Sequence, residues 1–208
     1  MLLEHEGRRP RIHPTAYVAP NATVSGDVTV GPESRILFGA VLTAEGGAVS
    51  VGARCVVMEQ AVLRGTKAHP LRLADHVLIG PHAHLSGCTV EEDVFVATGV
   101  SVFNGALIGA RSTVRINGVV HIKTVLAPDA VVPIGWVAVG DPARLLPPDA
   151  DDEIWAAQGP LNFSKTVFGL DPAPPGSTNM PERMRRYAKA LGRHLHDRIL
   201  DRHGSVDF

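Results

Sequence analysis

The chain has 208 residues, with 20 Lys and Arg against 21 Asp and Glu, and a formal charge of −1. Because it has no basic block that could neutralise a phosphate backbone, we expect no nucleic-acid partner. No apolar run approaches the roughly 18 residues that span a bilayer, and the N-terminal stretch is too short and too charged for a secretory signal. We therefore expect a cytoplasmic protein without a membrane partner.

Aliphatic residues recur every six positions over most of the chain. The series runs through Ile12, Val18, Val24, Val30, Ile36, Leu42, Val51, Val57, Leu63, Leu73, Ile79, Leu85, Val90, Val96, Val102, Ile108 and Val114, with a short insertion before Val51 and a longer one before Leu73. A compact side chain follows four residues after most of them, as at Ala16, Ala22, Cys55, Ala61 and Ala106. A period of six excludes an amphipathic helix, whose period is 3.6.

Such hexads predict an all-β fold. Each hexad forms a flat strand and a turn, and three hexads make a triangular coil of about 18 residues that stacks on the previous coil as parallel strands. We expect this parallel β-helix to occupy residues 11–146. The regular phase fades past Val114, so one or two irregular coils are expected there.

The C-terminal third has a different pattern. Residues 147–180 are rich in Pro, Gly and Asp and predict an extended connection, with a short helix near residues 151–157. Residues 181–203 predict a C-terminal α-helix that packs on the β-helix or on a neighbouring subunit. Its apolar face would carry Met184, Tyr187, Ala188, Leu191, Leu195 and Ile199.

Several segments of the β-helix resemble the γ-class carbonic anhydrases. They are residues 34–42, 51–54, 79–80, 85–90 and 139–143, the last reading Val-Gly-Asp-Pro-Ala. The resemblance covers about two thirds of the chain and implies a left-handed coil, an exception to the right-handed crossover rule. It also implies a homotrimer with a zinc or iron held by three histidines at each subunit interface.

The three histidine positions of that family are occupied by other residues here. On an ungapped match they fall at Arg64, Pro81 and Ser86. Arginine stays protonated, proline has no ligand atom and serine is a poor zinc ligand. The family's Arg-Gly-Asp is Thr43-Ala44-Glu45, and its Gln-Asp pair is Met58-Glu59. We therefore expect carbonic anhydrase activity to be absent or weak.

Other polar residues fall within or beside the positions that line the family's cleft. We expect His82, His84 and Glu59 to be the catalytic acid–base groups. Arg64, His69, Ser86 and Glu45 are expected to bind a small ligand at the subunit interface, with Glu59 and Arg64 as a carboxylate–guanidinium pair suited to a carboxylate or phosphate.

The metal could have moved instead of being lost. His82 and His84 would lie on one side of an extended strand, and His69 in the inserted loop could approach them. These three histidines could hold zinc together with a neighbouring subunit. The remaining terminal and helical histidines, His5, His13, His194, His196 and His203, are expected on the surface. Cys55 and Cys88 are expected in the core.

Three functions remain open at the level of sequence. The first is a γ-carbonic-anhydrase-like protein that binds or transforms another ligand. The second is a hexapeptide-repeat acyltransferase that uses acetyl-CoA or a related donor, with a histidine as general base. The third is a non-catalytic scaffold subunit. The two enzymatic readings share a fold, and fold alone does not separate them.

Overall fold

The computed structural model describes residues 1–161, 165 and 169–200. Its main body is a left-handed parallel β-helix of about eight turns, followed by a short helical region, which confirms the expected fold class. The strands, in chain order, are β1 (Leu2–Glu4), β2 (Arg11–Ile12), β3 (Tyr17–Val18), β4 (Thr23–Ser25), β5 (Val28–Val30), β6 (Arg35–Ile36), β7 (Val41–Glu45), β8 (Val49–Val51), β9 (Val56–Val57), β10 (Val62–Thr66), β11 (Leu71–Leu73), β12 (Leu78–Ile79), β13 (His84–Ser86), β14 (Thr89–Val90), β15 (Phe95–Val96), β16 (Ser101–Val102), β17 (Leu107–Ile108), β18 (Thr113–Val114), β19 (Val119–Val120), β20 (Val125–Leu126), β21 (Val131–Val132), β22 (Val137–Val139), β23 (Arg144–Leu146) and β24 (Arg198–Leu200).

The strands form three sheets, one for each side of the triangular coil. The first face contains ten strands in the order β23-β22-β19-β16-β13-β10-β7-β4-β1-β24. The second face runs β2-β5-β8-β11-β14-β17-β20, and the third runs β21-β18-β15-β12-β9-β6-β3. Strands of successive coils pair in parallel, as Ser101 with Val119, which is one coil of 18 residues. The two end strands of the first face, β23 and β24, each pair antiparallel with the neighbouring strand.

The hexad positions form the core. The aliphatic residues from Val24 to Val114 point inward and are almost fully buried, and Ile36, Leu42 and Leu85 are among the largest buried side chains. Ile12 and Val18 are only partly buried, because they lie in the first complete coil. Burial of thin layers of aliphatic and small side chains supplies the apolar stabilisation of each coil.

The regular phase does not fade past Val114, and this expectation was wrong. Val114, Val120, Leu126, Val132 and Ala138 continue the six-residue series, and all are buried. Four residues after the first three of these aliphatic residues come Gly118, Thr124 and Ala130, and Thr124 is buried. These three residues differ in polarity and size, so the pattern is harder to recognise in the sequence. The coil tolerates them because the backbone ladder is unchanged from β18 to β22.

Both insertions extend the first face. β7 and β10 are five residues long, and they stay in register to their ends, with Arg64 opposite Thr43 and Thr66 opposite Glu45. A Cβ at Gly65 would lie 2.3 Å from the carbonyl oxygen of Gly47, so the two insertions approach as closely as glycine allows. The result is a ledge, residues 43–48 and 64–70, at the corner between the first and second faces.

In the C-terminal region, the described residues include helical segments and a strand. Helix α1 spans Asp151–Gln158 and α2 spans Met180–Leu191. The single long helix expected over residues 181–203 is not formed: a 3-10 helix follows at Gly192–His196, and β24 then pairs antiparallel with β1. Leu195 is 85% exposed and Ile199 is in β24, so neither belongs to an α-helical face.

Two physical factors explain this difference. The backbone groups on the outer edge of β1 gain partners when β24 adds to it, since an unpaired sheet edge is unfavourable. The side chains of His194 and Asp197 are also held by groups of the solenoid wall, described below, which fixes the chain away from a continuing helix. Residues 201–203 lie outside the described residues. No helix in the described part of the chain is long and apolar enough to cross a membrane.

Candidate functional site

The ledge and α2 enclose a cavity of about 340 Å³ on the first face. Arg64 is central to it, and we call it the Arg64 cleft. Strand pairing places Arg64 beside Thr43 on one side and Ser86 on the other, with all three side chains outward from the core. The cleft is lined by Glu45, Arg64, Thr66, Lys67, Ala68, His69, Ser86, Asn104, Tyr187 and Leu191. All four residues predicted to bind a ligand, Arg64, His69, Ser86 and Glu45, therefore line one cavity.

The guanidinium of Arg64 has one partner and one unmet donor. Its Nη1 donates a hydrogen bond of 3.1 Å to Oη of Tyr187 in α2. Its Nε is buried and has no hydrogen-bond partner among the described residues. An unpaired buried donor costs free energy. The Nε–H of Arg64 is therefore a donor that no described residue satisfies.

Polar side chains next to Arg64 are held by short hydrogen bonds. Oγ of Ser86 lies 2.8 Å from Oδ1 of Asn104, to which it donates. Oγ1 of Thr43 donates to Glu45 over 2.9 Å. Burial alone would raise the pKa of Glu45, but the hydrogen bond from Thr43 and the charge of His194 outweigh it, and that pKa is lowered. Glu45 therefore contributes a negative charge at one end of an otherwise cationic cleft.

His69 closes the ledge loop. Its backbone pairs with Thr66 through two hydrogen bonds of 2.9 and 3.0 Å. A Cβ at Gly87 would lie 2.7 Å from the Cβ of His69, and Gly87 has φ of 51°, so glycine is required beneath this residue. His69 also borders a second cavity of about 320 Å³ on the second face, with Pro70, Arg72, Gly87 and Thr89.

The three predicted catalytic residues occupy two separate places within one chain. His84 begins β13 on the first face, and its pKa is lowered, first by partial desolvation and then by the positive charge of Arg64. His82 lies in the preceding turn with φ of 57°, so His82 and His84 do not share one side of a strand, and that premise was wrong. The backbone NH of His82 donates to the carbonyl oxygen of Glu59 over 3.0 Å, at the corner between the third and first faces.

The expected pair between Glu59 and Arg64 is not formed within the described chain. Arg64 instead donates to Tyr187, and Glu59 has no ion pair among the described residues. The reason is geometric: Glu59 lies in the turn before β10, whereas Arg64 lies in the middle of β10, toward the opposite corner.

A different group of residues has the spacing of metal ligands. Among the described residues, His5, Glu45 and His194 form the group in which three ligand atoms lie within 4.8 Å of one another; His69, His82 and His84 do not form one. The expectation that His5 and His194 are ordinary surface residues was wrong. His5 is only 2% exposed, and the side chain of His194 is 33% exposed.

Asp197 joins the two histidines of this cluster. Its Oδ1 lies 2.5 Å from Nδ1 of His5, and its Oδ2 lies 2.9 Å from Nδ1 of His194. Nε2 of His194 lies 3.0 Å from Oε1 of Glu45. The hydrogen bond to Asp197 raises the pKa of His194; burial opposes this rise and the nearby carboxylate of Glu45 adds to it.

An apolar groove of about 550 Å³ lies at the corner between the third and first faces. Several of its large side chains are solvent-exposed in the single chain, including Phe95 at 44% and Ile134 at 61%. The groove is lined by Met58, Leu78, Gly80, Pro81, Phe95, Ala97, Thr98, Arg115, Ile116 and Ile134. Exposed apolar patches of this kind are typical of surfaces that contact another molecule.

Comparison with known proteins identifies the relatives of this chain. No known family profile matches it. It is 33% identical over 164 residues to a protein named gamma carbonic anhydrase 1, mitochondrial, of Arabidopsis thaliana, an alignment that covers 76% of this chain and 58% of that protein. The chain is a γ-carbonic-anhydrase-like hexapeptide-repeat protein. The chain spans 58% of the length of this curated relative, which is less than two thirds.

Solved structures share the fold of this γ-carbonic-anhydrase-like chain. A Bacillus cereus protein described as a candidate acetyltransferase superposes with a TM-score of 0.52 at 22% identity, covering 93% of this chain and 96% of that one. A UDP-N-acetylglucosamine acyltransferase of Bacteroides fragilis gives a TM-score of 0.54 at 13% identity, with 86% and 89% covered. At these identities the likeness concerns the fold alone.

Several residues near the cleft were not predicted from the sequence, because the fold brings them in from the two ends of the described chain. Tyr187 was expected on the apolar face of a helix, but its hydroxyl contacts Arg64. Asn104, which was not among the predicted site residues, also lines the cleft. His5, His194 and Asp197 gave no local signal, because His5 and Asp197 are 192 positions apart.

Proposed function

We propose that this protein is a homotrimer that binds a small anionic ligand at Arg64, and that it does not hydrate CO2 at the position of the family's metal centre. The observation that carries the proposal is the unpartnered, buried Nε of Arg64 in a cavity of about 340 Å³. That volume is at the lower end of small-molecule sites. Lys67 in the same lining adds a second positive charge.

The chemistry of the donors supports the absence of the family's metal. Arg64, Pro81 and Ser86 stand at the three matched histidine positions, and a guanidinium, a pyrrolidine ring and a hydroxyl do not fit zinc or iron. A guanidinium does fit a carboxylate or phosphate, which it can hold through two parallel N–H donors. The replacement of a metal ligand by Arg64 thus favours anion binding at the same place.

The apolar groove supports the trimer. Pro81 lines this groove at one corner of the coil, whereas Arg64 and Ser86 lie on the first face. If the groove of one subunit meets the first face of the next, the three matched positions come together at each interface. This arrangement would also bring His82 and Glu59 of one subunit toward the Arg64 cleft of its neighbour, where they act on the bound ligand.

Titration of the untagged chain with two anions tests the ligand. Isothermal titration calorimetry with acetate and with inorganic phosphate separates the two kinds of anion. Arg64→Gln is expected to weaken binding by at least about 10-fold, since a hydrogen bond to a charged group is worth about 1.5–3 kcal/mol. Arg72→Gln is the matched control, because Arg72 is exposed and lies outside the cleft lining. Equal affinities in both variants would contradict the proposal.

Two further measurements test the other parts. Light scattering is expected to give a mass three times the 22.1 kDa of one chain, and Phe95→Glu is expected to give monomers, because a charge would be buried in the interface. Stopped-flow CO2 hydration by zinc-loaded protein is expected to match buffer. A robust hydration rate that persists in His194→Ala would overturn the assignment of Arg64, Pro81 and Ser86 to the metal positions.

An acyltransferase is the second candidate, and one observation favours it. His69 stands on an inserted loop beside a cavity of about 320 Å³, where a loop-borne histidine could act as general base. Thermal denaturation with millimolar acetyl-CoA tests it. If acetyl-CoA stabilises both the wild-type chain and His69→Ala, while His69→Ala has lost transfer activity, catalysis by His69 is supported. No stabilisation would exclude this candidate.

A further inference from the structure

We propose that His5, Glu45 and His194 form a binding site for a divalent transition metal ion, with zinc as the best-suited ion, and that Asp197 positions the two histidines. The site lies at the end of β1, beside the ledge, and it is distinct from the three matched histidine positions on β10, the 81–82 turn and β13. It does not depend on whether Arg64 binds an anion. Its ligands come from the two ends of the described chain and from the solenoid wall.

The first argument is the unmet ring nitrogen of His5. The residue is 2% exposed, and its Nε2 has no hydrogen-bond partner among the described residues. The nearest carboxylate oxygen, on Glu6, is 3.8 Å away, which is too far for a hydrogen bond. A buried imidazole nitrogen without a donor or acceptor is unfavourable, and a metal ion would satisfy it.

The second argument is the role of Asp197. Its two oxygens contact Nδ1 of His5 and Nδ1 of His194 at 2.5 and 2.9 Å. When each Nδ1–H donates to the carboxylate, each Nε2 keeps its lone pair for a metal. A carboxylate that orients a metal-binding histidine in this way is a regular feature of zinc sites. One carboxylate here prepares both rings together.

The third argument is the donor set. Two imidazoles and one carboxylate suit zinc and leave a fourth position for water or a substrate. Glu45 is 11% exposed and already lies 3.0 Å from Nε2 of His194. The three ligand atoms lie within 4.8 Å of one another, whereas tetrahedral zinc spaces its ligand atoms by about 3.3 Å. Metal binding therefore requires a contraction of up to about 1.5 Å, which tilting of the stacked His5 and His194 rings would supply.

Arg193 lies beside the cluster and contacts one of its carboxylates. Its Nη2 lies 3.9 Å from Oε2 of Glu45, and its Nη1 lies 3.5 Å from Oε1 of Glu6. The guanidinium therefore supplies a positive charge next to Glu45 when no metal is bound.

Metal uptake by the untagged, full-length chain tests the site. The protein is stripped with a chelator, reloaded with zinc chloride, dialysed and analysed for zinc per chain. We expect about one zinc per chain. His5→Ala and His194→Ala should each weaken zinc binding by more than about 10-fold. His196→Ala, in the same 3-10 helix and exposed, is the matched control and should leave binding unchanged.

Further variants make every outcome decisive. Asp197→Asn and Glu45→Gln preserve shape, so they remain informative if His5→Ala fails to fold; unchanged affinity in both would overturn the site. His84→Ala separates this site from the zinc site predicted from sequence. Zinc that is lost in His84→Ala and kept in His5→Ala would also overturn it. A wild-type chain that retains no more zinc than His5→Ala would show that the cluster is an ion-pair network only.

Discussion

Arg64 of β10 and Tyr187 of α2 are joined by a hydrogen bond of 3.1 Å, from Nη1 of the guanidinium to Oη of the phenol. The two residues are 123 positions apart, and this contact places α2 over the cleft. Tyr187 is 40% exposed, so the bond is at the edge of the structure and not in its core. Nε of the same guanidinium is buried and has no hydrogen-bond partner among the described residues.

Replacing Tyr187 with Phe should loosen α2 with little change elsewhere. The ring remains and only the hydroxyl is lost, so we expect the free energy of unfolding to fall by about 0.5–1.5 kcal/mol, the net worth of one hydrogen bond. Urea denaturation measures this change. Faster hydrogen exchange should be confined to α2. A loss as large as that of a core variant would contradict this view of the contact.

His84 should titrate below the usual histidine range. Its pKa is lowered by partial desolvation and by the charge of Arg64. The pKa of His84 is therefore lower in the native chain than in the unfolded chain, which binds the proton at higher pH. The contribution of neutral His84 to the free energy of unfolding is complete above about pH 6.5 and is lost as the pH falls toward the native pKa. Proton NMR titration should show this pKa rising in Arg64→Gln without reaching the unfolded value, since desolvation remains. Arg72→Gln should not change it.

Truncation of one hexad leucine should be costly. Leu63 is fully buried, and Leu63→Ala should lower the free energy of unfolding by about 2–5 kcal/mol, because a cavity remains in a thin core layer. Leu195→Ala is the matched control, since Leu195 is 85% exposed and should change stability by less than about 0.5 kcal/mol. Chemical denaturation of both variants tests the assignment. Similar losses would contradict the burial of the hexad position.

Both cysteines should resist modification in the native protein. Cys55 and Cys88 are free and buried, as expected. Burial raises the pKa of Cys88 to about 12 and also raises that of Cys55. Because the thiolate is the reactive form, a thiol-specific reagent at pH 8 should label neither until denaturant is added. Rapid labelling of Cys88 before unfolding would indicate local opening of its coil.

The sequence predicted those parts of the structure that depend on local repetition. The hexads from Val24 to Val114 were correct because each inward residue is fixed by its own strand and turn. The coils beyond Val114 were predicted, but they were expected to be irregular, and their six-residue spacing in fact continues. Their positions are set by the ladder to earlier coils, which a local pattern does not contain.

The site was predicted in part for the same reason. Arg64 and Ser86 face one cleft because strand pairing puts them side by side. The end of α2 at Leu191 and the burial of His5 were not predicted, because both depend on β24 adding to β1 across almost the whole chain. Helical periodicity through Leu195 and Ile199 was real in the sequence, but edge pairing and the Asp197 contacts determine the conformation there.

The pairing of β24 with β1 has a consequence for assembly and folding. A stack of coils can ordinarily form from any point and grow in both directions, and its first coil is an open template onto which another stack can add. Here the strand that covers this template is made of residues 198–200. A nascent or shortened chain that lacks these residues would leave the edge of β1 unpaired. End-to-end addition of a second chain would then compete with the pairing of β24, and filaments could grow until residues 198–200 are in place.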